Sequence, residues 1–72
     1  MKTIKSVTQA EAETNHLASY IGKIGGQHVK TEKQATAWAR RQQANHPTDE
    51  QWVVWPQCNM AGEFIGWGAA VI

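Results

Sequence analysis

The side chains that could do chemistry are few. His16, His28, His46 and Cys58 are the ligand types of a zinc site. Zinc ligands usually arrive as close pairs that one turn or knuckle presents together, whereas 11, 17 and 11 residues intervene between these four. They read as solvated or hydrogen-bonded histidines, and neither metal nor cofactor is expected. Cys58 with a histidine could make a nucleophile and its base. That chemistry needs an electropositive pocket and an oxyanion site, and no local signature marks either. Cys58 reads instead as the end of a strand, so an enzyme or enzyme subunit using it ranks behind two binding readings. Glu11, Glu13, Asp49 and Glu50 sit in polar stretches that read as caps and loops rather than as paired acid–base carboxylates. Neither Gly25-Gly26 nor Gly62, Gly66 and Gly68 makes a phosphate-binding pattern ahead of a helix.

The elements that must position these side chains are limited by size. A chain of 72 residues allows one compact core, and residues 1–72 are read as a single domain. So short a chain buries only about 60% of its unfolded surface, so a few large side chains, a partner or a covalent staple must stabilise it. Cys58 is the only cysteine, which excludes an intramolecular disulfide and fits a reducing compartment, so the cytoplasm is expected. Four tryptophans supply the large side chains, each able to remove about 150–250 Å2 from water. The formal net charge of +1 gives no strong field toward nucleic acid or an anionic membrane. The start has a lysine but no following apolar stretch, so it does not read as a signal peptide. The nonpolar stretch 65–72 is interrupted by Gly66 and Gly68 and falls far short of the roughly 20 residues of a membrane helix.

A helix is expected over residues 31–45. Thr31 and Gln34 have the spacing at which side chain and backbone cap each other, strong helix formers follow, and Asn45, His46 and Pro47 stop it. Ala35, Trp38, Ala39 and Gln42 fall at i, i+3, i+4 and i+7, making Trp38 the one bulky anchor of its inner face. After a loop at 47–50, the Trp- and Val-rich 51–57, the turn at 59–62 and the segment 63–71 read as a β-hairpin. If residue 57 faces 64, alternation puts Trp52, Val54, Ile65, Trp67, Ala69 and Val71 on one face. Val53, Trp55, Phe64, Gly66 and Gly68 then share the other.

Two readings compete between Thr8 and Lys30. Thr8 and Glu11 have a second capping spacing, and Ala10, Leu17, Tyr20, Ile21 and Ile24 could line a helix. Alternatively 17–24, the glycine pair and 27–30 make a second hairpin, which the punctuation by Gly22, Gly25 and Gly26 favours. Residues 2–7 could add a further strand, and 9–15 read as a loop or short helical turn. The expected architecture is therefore α+β: a small antiparallel sheet of two hairpins packed by one main helix, with 8–24 as a second helix or strand.

If one helix covers the Trp52 side, Trp55 and Phe64 are left exposed beside Gly66. Such an apolar patch on a small domain marks an interface. The functional reading is a non-enzymatic protein-binding module, a small accessory or regulatory protein of the kind phages and mobile elements encode. It would contact a protein partner, or a second copy as a homodimer, through Trp55, Phe64 and Gly66. The alternative is a nucleic-acid-binding module using the basic strip that includes Arg40 and Arg41, with Trp55 and Phe64 stacking on unpaired bases. The bland readings are a core face for the aromatics and a solvated helix face for the arginines.

Since the histidine and cysteine spacing supplies no ready-made site, the protein is expected to fold without metal. Excess chelator should leave its cooperative thermal unfolding unchanged. Loss of the transition, restored by zinc, would overturn this expectation.

Overall fold

The structure, a computed structural model, describes residues 3–47 and 49–72. Lys2, where the first expected strand begins, and Thr48, inside the expected 47–50 loop, lie outside the described residues. The fold is α+β. In chain order the elements are β1 (Lys5–Ser6), α1 (Gln9–Thr14), α2 (Tyr20–Gly25), α3 (Glu32–Asn45), β2 (Trp52–Cys58) and β3 (Phe64–Val71). β2 is the middle strand, antiparallel to β3 and parallel to the short β1.

Helix α3 follows from its local chemistry. Thr31 Oγ1 accepts from the Gln34 N–H at 3.2 Å while Gln34 Oε1 accepts from the Thr31 N–H, also at 3.2 Å, completing the capping box. Ala35 and Ala39 are fully buried, and their small side chains let the helix sit closely over Trp52, Val54 and Ala69. The hairpin turn is built on Asn59, whose Oδ1 accepts from the Ala61 and Glu63 N–H groups at 2.9 and 3.0 Å.

The hairpin register differs from the expected one by two residues, since Gln57 faces Gly66 rather than Phe64. A shift of two preserves which side chains share a face. Beyond that point Cys58 pairs with Phe64, leaving Ile65 as an extra residue in β3, a bulge. The bulge reverses the alternation, so Phe64 is out of phase with Trp55 and the two do not share a face.

The second hairpin expected over 17–30 is not formed. Helix α1 closes when Leu17 N–H donates to Ala12 O at 2.9 Å and His16 N–H to Glu13 O at 3.0 Å, with His16 at φ 56 in the position glycine usually takes. Ser19 then caps α2, and Gly26 at φ 75 ends it. The glycine pair thus serves as a helix stop instead of a hairpin turn, because both uses need the same positive φ. Of the expected strand 27–30, only Val29 bridges to Trp67.

This segment changes face. Leu17 packs with Val53, Trp55 and Ala70, while Ile21 packs with Trp52, Val54 and Ala69 on the opposite side. In between, the chain passes the outer edge of β3, where Ser19 Oγ accepts from the Ala69 N–H at 3.2 Å; after α2 the chain returns to this edge, and Val29 O accepts from the Trp67 N–H at 2.6 Å. The passage is close because two glycines allow it. A Cβ on Gly68 would lie 2.9 Å from Ser19 Oγ, and one on Gly66, at φ 135, 2.5 Å from Val29 O. The side of β2 away from β3 is closed as well beyond the two residues of β1. Val7 N–H donates to Val54 O at 2.8 Å, Pro56 has no N–H to leave open, and the Gln9 side chain holds both Cys58 N–H (2.9 Å) and Cys58 O (3.2 Å).

Both sheet faces are therefore core. Ala12 of α1, with Val7 and Leu17, covers Val53, Trp55 and Ala70, which corrects the expectation that one helix leaves the Trp55 face open. Trp55 is 2% exposed and its indole N–H donates to Gln57 Oε1 at 2.6 Å, whereas Phe64 is 53% exposed. Trp55→Ala should cost about 3–5 kcal/mol and unfold a domain this small. Phe64→Ser should stay within about 0.5 kcal/mol of the parent. Thermal or urea unfolding separates them, and equal midpoints for the two variants would contradict the two-faced core.

Candidate functional site

The five residues singled out as partner-binding do not form one surface. Trp55 lies in the α1-side core and Gly66 is buried under His28 and Val29. Phe64 stands near the hairpin turn, where Met60 is also fully exposed. Arg40 and Arg41 are exposed on α3, and Arg40 borders a shallow hollow with Lys33, Thr36 and Glu32. An acid within that strip dilutes its positive charge, and no aromatic platform accompanies it.

The exposed aromatic surface lies elsewhere, where α2, α3 and the open end of the hairpin converge on a groove of about 380 Å3. Tyr20 and Ile24 reach it from α2, one helical turn apart. Trp38 and Gln42 reach it from α3 with the same spacing, and His46, the C-cap, continues that stripe. Trp52 and Val71, a facing pair, close its base, with Glu50 at the approach to β2. Trp52 is 7% exposed and forms the floor; Tyr20 and Ile24 are 42% and 70% exposed and form the rim.

The rings do not stack in parallel. Tyr20 and Trp52 have centroids 5.8 Å apart at 58°, and Trp38 and Trp52 5.7 Å apart at 78°. Tilted and edge-to-face contacts of this kind add about 0.5–1.5 kcal/mol beyond area burial. They also fix the groove, since Trp52 is held from both sides. Two buried donors, Trp52 Nε1 and Gln43 Nε2, have no hydrogen-bond partner among the described residues. Each such group costs about 1–3 kcal/mol, so ring packing and burial must offset it.

Sequence reasoning placed Trp38 and Trp52 on the helix-covered side, but as core alone. The signal that could have exposed the groove was the Tyr20 and Ile24 spacing, which belongs to the helical reading of 8–24. Among the described residues, no three histidine, cysteine, aspartate or glutamate side chains gather as metal ligands, and no helix is long and apolar enough to cross a membrane.

Comparison with protein-family models, with curated proteins and with solved structures returned no match. Trp38 is only half-buried, yet it is both a wall of the groove and the edge-to-face partner of Trp52. Trp38→Ala should cost about 2–3 kcal/mol, below the full cost of a core tryptophan. An unchanged unfolding midpoint would show that α3 is held by its alanines alone.

Proposed function

We propose that this chain is a non-enzymatic protein-binding module whose contact surface is the groove between α2, α3 and the open end of the β2–β3 hairpin. The observation that carries the reading is the exposure of Ile24 and Tyr20, 70% and 42%, around a floor of packed tryptophan. Partly exposed aromatic and aliphatic groups around a concavity are what interface anchors use, and a small domain holds few such patches by chance. The apolar side chains at the hairpin tip, Met60 and Phe64, enclose no comparable hollow. An accessory or regulatory role in the cytoplasm, of the kind phages and mobile elements encode, fits so small a module, with a protein partner or a homodimer as the complex. The nucleic-acid reading loses its paired stacking platform, since Trp55 is buried and the exposed Phe64 does not share its face, and keeps the exposed basic strip with Arg40 and Arg41.

The test compares two surface variants that should leave folding intact. Ile24→Ser should abolish capture of the partner from the native host, or of a second copy in sedimentation, with the circular dichroism spectrum unchanged. Arg40→Ala with Arg41→Ala should retain it. Single-stranded nucleic acid bound in a salt-sensitive way, and lost in the arginine variant alone, would replace the protein reading with the nucleic-acid one.

A further inference from the structure

We propose that a second copy of this chain fills the groove: in a two-fold pair, the hairpin tip of each copy, formed by Met60 and Phe64, seats in the groove of the other. This rests on the docking reading above and names its occupant. The first observation is where the exposed apolar side chains lie. Among the described residues, the large exposed hydrophobics are Tyr20, Ile24, Met60, Phe64 and Ile72. Tyr20 and Ile24 rim the groove at the open end of the hairpin, whereas Met60 and Phe64 lie at the turn that closes its other end. The seven residues of β2 separate the two ends, about 23 Å at roughly 3.3 Å per residue, so no copy can seat its own tip.

Second, the two ends are opposite in shape and matched in chemistry. The groove is a hollow of about 380 Å3, whereas Met60 stands clear of the surface on its turn, 107% exposed. Asn59 holds that turn in place. Its N–H donates to Glu63 O at 2.9 Å, its carbonyl accepts from the Gly62 N–H at 3.0 Å, and its side chain takes the Ala61 and Glu63 N–H groups. A knob already held by its own hydrogen bonds loses little backbone freedom on docking. Methionine suits an irregular aromatic hollow, since its unbranched thioether adapts its shape and its sulfur contacts rings favourably at about 5 Å, often at the ring edge. Tyr20, Trp38 and Trp52 supply three such rings.

Third, area selects the reciprocal arrangement. Fully burying a large side chain removes on the order of 150–250 Å2 from water, and Phe64 and Tyr20 are already about half covered. One tip in one groove therefore buries roughly 500 Å2 over both copies, the size of a loose packing contact. Two such contacts bury roughly 1,000 Å2, where specific interfaces begin. A two-fold axis supplies the second contact without further fitting, because placing one tip in the other copy's groove places the second tip likewise.

The experiment uses the intact chain, with association read by sedimentation up to about 1 mM and by NMR. The parent should pass from monomer to dimer and no further. As it does, the Met60 methyl signal and the indole N–H signals of Trp38 and Trp52 should move, while that of Trp55 stays. A tip variant, Met60→Ser with Phe64→Ser, and a groove variant, Ile24→Ser, should each keep the parent's thermal midpoint and weaken association about tenfold or more. Mixed one to one, the two variants still hold one intact tip and one intact groove, so they should pair more tightly than either does alone. A groove-to-groove contact would leave the tip variant dimeric, and that result overturns the proposal. A mixture no tighter than its components, or growth of the parent beyond a dimer, does so as well. A parent that stays monomeric at the highest concentration also overturns it; if Ile24→Ser then still loses a partner from the native host, the docking reading stands, and if that capture is unaffected, both fall.

Discussion

The fold depends on how the outer edge of β3 is closed. Ser19 Oγ and Val29 O take the Ala69 and Trp67 N–H groups that the hairpin itself leaves unpaired. An open strand edge invites pairing with other chains. Closing it with a short helical segment also determines where everything else goes. The passage at Ser19 carries the chain from the α1 face to the α3 face, and only from there can α2 set Tyr20 and Ile24 beside Trp38. Gly66 and Gly68 are the permissive condition, since a side chain at either would push the passing backbone or the serine away.

Once the edge is closed, a three-stranded sheet becomes a three-layer core. Trp52, Val54 and Ala69 are covered by α3 and α2, and Val53, Trp55 and Ala70 by α1 and its flanking residues. This is how 72 residues without a disulfide bury enough surface: no face of the hairpin is left for solvent. What remains exposed is displaced to the margins, to Met60 and Phe64 at the turn and to the groove at the opposite end. Stability and the candidate site draw on the same residue, because Trp52 is core to α3 and floor to the groove.

Helix α3 and the hairpin were legible because their signals are local. A capping box spans four residues, a turn signal spans about five, and strand alternation is visible in any run of six or seven. The face assignments of Trp52, Val54, Trp67 and Ala69 survived even a two-residue error in register, since the side-chain period is two. Phe64 did not survive, because a single extra residue, Ile65, reverses the parity.

By itself, then, the sequence determined an α+β domain, the capped helix at 31–45, the hairpin that follows and the absence of a disulfide. Tertiary structure alone decided that the glycine pair at 25–26 stops a helix, that Trp55 is core and that Tyr20, Ile24, Trp38 and Trp52 meet. The physical reason is separation along the chain. A positive φ serves a hairpin turn and a helix stop equally well, and only the N–H groups of Trp67 and Ala69, some 40 to 50 residues away, select between them.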